Sequence, residues 1–200
     1  MSEDQLFTST RGPDTSSIIP KITYFSDAIM LPSAFKGGLY VPNEVKHKIL
    51  HAMEDWVKLS YKDLSIAIMR HIRVDLDDNV LKQALQVYDK FDDPSNPVPV
   101  IRLDEFVFVS ELWHGPTRAF KDMALCPFSN LVSHCAVQEN QDYLVLAATS
   151  GDTGPAALES FKNKPKVKIV TIYPFGNTSD VQRMQMVKSN GDNLKVIGIN

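Results

Sequence analysis

A chain of 200 residues that is 44% hydrophobic and 22% charged has the composition of an ordinary globular protein, long enough for one good core or for a small domain joined to part of a larger one. Its net charge of -3, with Lys and Arg spread along the chain, leaves no basic footprint for nucleic acid. The longest apolar runs are strand-sized and the Met1-Ser2-Glu3-Asp4 start lacks a basic, apolar leader, so neither a membrane span nor a secretory signal is expected and the expected setting is cytoplasmic.

Residues 2–20 are polar and rich in Ser, Thr, Gly and Pro, which predicts an irregular arm; it contains Thr8-Ser9-Thr10-Arg11-Gly12. Ser26 or Asp27 is a candidate cap for a short helix through Ala28, Ile29 and Met30, stopped by Pro32. Gly37-Gly38 marks a sharp reversal into an extended segment ending at Pro42. Three helical patterns follow, over 44–59, from 60 onward, and over 78–91. The second opens Ser60-Tyr61-Lys62-Asp63, the shape of a capping box. Together they predict a helical N-terminal subdomain. His47, His51 and Glu54 fall on one face of the first helix, but without a fourth ligand they read as a solvated face, and no metal site is expected. Asp92-Asp93-Pro94-Ser95-Asn96-Pro97 is a turn-rich linker and divides the chain into residues 1–97 and 98–200.

Beyond it the pattern changes. Two strand-like runs, 99–103 and 106–110, flank Asp104-Glu105 as a hairpin. A helix is expected over 118–137, bent near Pro127 unless that proline lies within its first turns. Cys126 and Cys135, on this one helix, read as reduced thiols, because a disulfide within a helix is geometrically poor. Residues 143–148 (Tyr-Leu-Val-Leu-Ala-Ala) form a continuous apolar run, the signature of a parallel strand buried on both faces. A helix over 155–162, a strand over 167–173, a helix over 179–188 capped by Thr178 or Ser179, and a strand over 194–199 complete a doubly wound α/β layer.

Two stretches carry candidate chemistry. In Glu-Leu-Trp-His-Gly-Pro-Thr-Arg-Ala-Phe-Lys-Asp (111–122), Lys121 is expected in the first helical turn, where the helix dipole disfavours an ammonium. A lysine held neutral is a nucleophile that forms Schiff bases with carbonyls, the aldehyde of pyridoxal phosphate among them; the plain alternative is a solvated surface lysine. His114 either donates to an anionic ligand or packs beside Trp113. Asp122 caps the helix or pairs locally. Ser150-Gly151-Asp152-Thr153-Gly154 follows a strand and enters a helix, where ligands of open parallel sheets bind. Two glycines, two hydroxyls and a helix N-terminus suit an anion. Equally, they make a tight turn with a cap, and Asp152 suits a phosphate only if its carboxylate faces away or meets a cation. The spacing is not that of a P-loop.

His-Gly-Pro-Thr-Arg-Ala-Phe-Lys-Asp (114–122) and Ala-Thr-Ser-Gly-Asp-Thr-Gly (148–154) resemble the threonine synthase family, in its long bacterial and fungal branch with animal threonine synthase-like relatives. Thr8-Ser9-Thr10-Arg11-Gly12, Gly37-Gly38-Leu39-Tyr40-Val41-Pro42, Leu59-Ser60-Tyr61, Ala67-Ile68-Met69-Arg70 and Gln182-Arg183-Met184-Gln185-Met186 extend the resemblance, in order, over nearly the whole chain. It implies an α/β protein: a helical N-terminal subdomain followed by part of a fold type II, tryptophan-synthase-β-like domain that binds pyridoxal 5'-phosphate. It implies Lys121 as Schiff-base lysine and proton carrier. Ser150, Gly151, Asp152, Thr153 and Gly154 match the loop beside the cofactor and substrate carboxylate, and His114, Thr117, Ser150 and Thr153 are candidate substrate contacts. The implied partner is the small molecule O-phosphohomoserine, which loses phosphate and gains water to give threonine, in a protein that is a monomer or homodimer at full length, with no nucleic-acid or membrane partner. A phospho-lyase yielding 2-oxobutyrate, and a truncated, non-catalytic or signalling product, are alternatives. Arg118 and Pro155 depart from the family pattern. The family is about twice this length, and its phosphate-gripping loop and pyridine-nitrogen hydroxyl lie in the part absent from this chain, so a fragment is expected.

Overall fold

The structure is a computed structural model that describes residues 7–12, 24–31, 33–34, 37–43 and 49–200, the side chains of 49–52 excepted. Contacts divide the chain into two compact units, Met1–Lys82 and Gln83–Asn200.

In the first unit Phe7–Ser9 (β1) pairs antiparallel with Tyr40–Pro42 (β2), so part of the stretch expected as an irregular arm is a strand. Thr10 N–H donates to Leu39 O and Leu39 N–H to Thr10 Oγ1, which locks the two ends together. Gly38 admits no side chain, because a Cβ would lie 2.3 Å from Ser9 Oγ. Helix α1, Phe25–Met30, is capped at Tyr24, not at Ser26 or Asp27. Both candidates are otherwise engaged: Asp27 accepts the Tyr24 N–H, and Ser26 bonds Asp75 through its N–H and its hydroxyl. Pro32, His47 and the side chain of His51 lie outside the described residues. Helices α2 (Ile49–Trp56), α3 (Tyr61–His71) and α4 (Asp78–Leu85) follow. α3 begins as its sequence predicts, Ser60 Oγ accepting the Asp63 N–H at 3.2 Å.

A 3-10 turn, Gln86–Lys90, follows α4 in the second unit. Residues 83–97, expected with the first part, bond within the second: Tyr88 Oη donates to Met123 O, and Asn130 Nδ2 to Ala84 O. Val100–Arg102 (β3) and Phe108–Ser110 (β4) form the expected hairpin, its turn held by Asp104 Oδ1 accepting the Phe106 and Val107 N–H groups at 2.8 Å each.

Helix α5 is Asp122–Gln138. It starts later than expected because Arg118 has φ 64, a left-handed conformation that no helix continues through. Pro127 sits inside it without ending it. A proline there leaves the carbonyl four residues back, Met123 O, without its helical donor, and the Tyr88 hydroxyl fills that place at 2.6 Å.

Tyr143–Ala148 (β5), Val167–Pro174 (β6) and Leu194–Ile199 (β7) form a parallel sheet in that order, joined by helices Thr153–Phe161 (α6) and Asp180–Val187 (α7). The expectation that β5 is buried on both faces, in a doubly wound layer, is not met. Strands added in sequence order through crossovers of one hand place their helices on one side of the sheet. On that side Ile169 and Thr171 of β6 are fully buried with Leu158 and Phe161 of α6 and Met186 of α7. On the other, Leu144 and Leu146 are each 64% exposed, and Ile197 and Ile199 are exposed as well. Cys126 and Cys135 are buried, free thiols. Among the described residues no helix is long and apolar enough to cross a membrane.

Candidate active site

The chain between β4 and α5 is held from two sides. Outermost, His114 Nε2 meets Glu111 Oε2 at 2.7 Å and Nδ1 meets Asp92 Oδ2 at 3.0 Å. The Arg118 guanidinium donates to the same Asp92 oxygen, and the Asp92 N–H donates to His114 O. Glu111 first, and Asp92 second, hold the His114 imidazolium above its usual range, while Arg118 and then His114 hold the Asp92 carboxyl below its own. Both ring nitrogens of His114 are therefore engaged by carboxylates of this chain, beside a Trp113 ring 5.8 Å away.

Nearer the helix, the fully buried Asp122 accepts twice from Thr117, through N–H and hydroxyl, each at 2.7 Å. Gly115 makes room for it, since a Cβ there would lie 2.5 Å from Asp122 Cβ. Lys121 is the N-cap of α5 and not part of its first turn. Its Nζ lies 4.3 Å from the centroid of the exposed Phe120 ring. The neighbouring carboxylate points inward to Thr117, and Lys121 has no ion-pair partner among the described residues. The turn thus presents an amine and buries the adjacent acid.

At the carboxyl end of β5, α6 begins at Thr153, so Thr153, Gly154 and Pro155 form its first turn and Asp152 is its N-cap. A proline in a first turn gives up no helical bond. The Asp152 carboxylate makes no capping bond; it accepts from Gln182 Nε2 of α7 at 2.6 Å. The charge of this carboxylate is thus turned toward an amide donor. The two glycines do different work. A Cβ on Gly154 would lie 2.4 Å from Met186 Sδ and 2.7 Å from Thr149 Cγ2, so this glycine seats α6 against α7 and the sheet. Gly151 is open, its nearest would-be contact being Gln182 Nε2 at 3.7 Å. The hydroxyls of Ser150 and Thr153 have no partner among the described residues.

Sequence reasoning missed Asp92 and Glu111 as holders of His114, and the glutamines of α7. Gln182 and Gln185 stood in the sequence within a motif of the resemblance and three residues apart on a helix, a spacing that shares a face but names no partner.

A family model for the threonine synthase N terminus matches residues 6–87. The threonine synthase of Pseudomonas aeruginosa is 36% identical over 177 residues, covering 88% of this chain and 38% of that protein. Over these spans the chain is similar to the N-terminal portion of threonine synthases. Threonine synthase-like 2 of Rattus norvegicus is 30% identical over 200 residues, 96% of this chain and 39% of that protein. The crystal structure of PLP-bound threonine synthase from Brucella melitensis is similar with a TM-score of 0.85 at 30% identity, covering 97% of this chain and 41% of that one. The chain therefore spans about two fifths of the length of these threonine synthase relatives.

Proposed function

We propose that this chain supplies the amine-bearing part of a pyridoxal 5'-phosphate site in a cytoplasmic threonine synthase, which converts O-phosphohomoserine and water to threonine and phosphate. The observation that carries the reading is Lys121: in a chain similar to this family, the amine at the N-cap of α5 has no carboxylate partner among the described residues, Asp122 being turned inward to Thr117. The surrounding donors fit an anionic aldehyde, with the Ser150 and Thr153 hydroxyls unbonded among the described residues, Gly151 open and the Asp152 charge directed at Gln182. When bound, the cofactor supplies an electron sink through which phosphate leaves Cγ and water adds at Cβ.

The chain's own residues have distinct parts. Lys121 Nζ binds the aldehyde carbon and afterwards carries a proton. The 150–154 loop, at the N-terminus of α6, receives the substrate carboxylate through Ser150 and Thr153. His114 and Thr117, whose polar groups are already bonded within the chain, hold the turn in place. Two buried free cysteines accord with a reducing compartment.

A second reading, a phospho-lyase giving 2-oxobutyrate and phosphate from the same site, draws on the similarity to threonine synthase-like 2. The test is to express the longest reading frame that contains these residues, supply pyridoxal 5'-phosphate and O-phosphohomoserine, and measure phosphate, threonine and 2-oxobutyrate. Threonine and phosphate in equal amounts, lost in Lys121→Ala, are expected. Oxo acid without threonine would select the second reading, and product formation unaffected by Lys121→Ala would defeat both.

A further inference from the structure

Helix α7 touches both candidate loops with one face. Gln182 Nε2 donates to Asp152 Oδ1 at 2.6 Å, and one turn further on Gln185 Nε2 donates to Thr117 O at 3.3 Å. Met186, on the same face, is fully buried and lies where a Cβ on Gly154 would be. Residues at i, i+3 and i+4 point the same way, so the three contacts belong to one surface of one rigid element.

Gln182 is itself held, and the target of Gln185 is held too. Ser179 caps α7 by accepting the Gln182 N–H, and its hydroxyl donates to Gln182 Oε1 at 2.9 Å, which leaves the amide N–H aimed at Asp152. Thr117, the target of Gln185, is fixed from its other side by Asp122, the residue after Lys121. A continuous path of hydrogen bonds and one helical turn thus runs from Asp152 through Gln182 and Gln185 to Thr117, Asp122 and the backbone of Lys121. Loops far apart in sequence, 117 and 152, are referred to one ruler.

We propose that Gln182 and Gln185 are positioning residues: together they set the separation between the Lys121 turn and the 150–154 loop, and so the registration of an aldehyde-bearing anion between amine and hydroxyls. This rests on the functional reading above. Gln182 also keeps the Asp152 carboxylate away from an incoming anion, so it acts on charge as well as on distance.

The test uses the longest reading frame that contains these residues, together with pyridoxal 5'-phosphate. Affinity is measured by titration, and site selectivity by borohydride reduction followed by peptide mapping of the labelled lysines. Gln182→Leu and Gln185→Leu are each expected to weaken binding about tenfold and to spread label from Lys121 to other lysines, the scale set by loss of a hydrogen bond to a charged or buried acceptor. Gln182→Arg restores a donor to Asp152 without adding an amine that forms Schiff bases, and is expected to recover affinity and selectivity. Val181→Ala, at an exposed position of the same helix, changes neither.

Wild-type affinity and selectivity in both leucine variants would overturn the proposal. So would losses that merely follow the folded fraction and are not rescued by arginine. If the wild-type chain itself shows no preference for Lys121, the functional reading fails, and the brace is then judged by hydrogen exchange without cofactor. Faster exchange near 152 in Gln182→Leu and near 117 in Gln185→Leu upholds it, and unchanged exchange in both removes it.

Discussion

His114 titrates between two carboxylates, and the direction of its shift determines when the turn before Lys121 is held. Its folded value is raised, so the stabilisation is complete below the usual histidine range, about 6.5, and is lost as pH rises through the elevated value. Asp92 is lowered, so its part is complete above the usual carboxylate range, about 3.9, and is lost as pH falls through the depressed value. The clamp is at full strength between those limits. Over roughly pH 6 to roughly pH 9 the thermal midpoint of the wild-type chain is expected to fall further than that of His114→Gln, and parallel profiles would contradict this. Lys121 and the Ser-Gly-Asp-Thr-Gly loop stood out in the sequence through the motifs that carry them, since residue by residue a solvated lysine and a capped tight turn read them equally well. The partners of His114 were not, because Asp92 stands in a stretch whose composition speaks only of turns, and a pairing across that distance leaves no local pattern.

At the scale of elements, the helices and strands follow their patterns while their ends follow contacts. The apolar spacing of α5 runs back to Arg118, yet the left-handed turn there delays the helix to Asp122 and makes Lys121 a cap. Periodicity cannot see that change, because side-chain pattern carries no φ. Pro127 is a second instance: a sequence rule expects a bend, and the structure supplies a hydroxyl from the preceding 3-10 turn to the carbonyl the proline orphans. Tyr88→Phe removes that hydroxyl and leaves Met123 O without its donor. It is expected to cost about 1 kcal/mol in chemical denaturation, the usual net contribution of one hydrogen bond, here a part-buried one. No change would mean that water or a relaxed helix takes the place of Tyr88.

For the second unit as a whole, the order of strands was legible and the covering of the sheet was not. An apolar run such as Tyr-Leu-Val-Leu-Ala-Ala says that both faces suit an apolar neighbour; it does not say that crossovers of one hand will dress only one. The bare side carries Leu144 and Leu146 on β5 and, beyond β6, Ile197 and Ile199 on β7. Large apolar side chains exposed on one sheet face favour association. Light scattering of the 200-residue chain is expected to rise with concentration, and the paired change Leu144→Thr with Leu146→Thr to reduce that rise, β-branched threonine keeping the strand. Scattering equal in both would place the association elsewhere.

The order β5-β6-β7 also leaves β5 and β7 at the margins of the sheet. Each offers one row of backbone donors and acceptors outward, so the sheet has open valence on both flanks. A further strand can be annexed at either side without breaking a bond already made, and the Lys121 turn, the 150–154 loop and α7 between them would stay as they are.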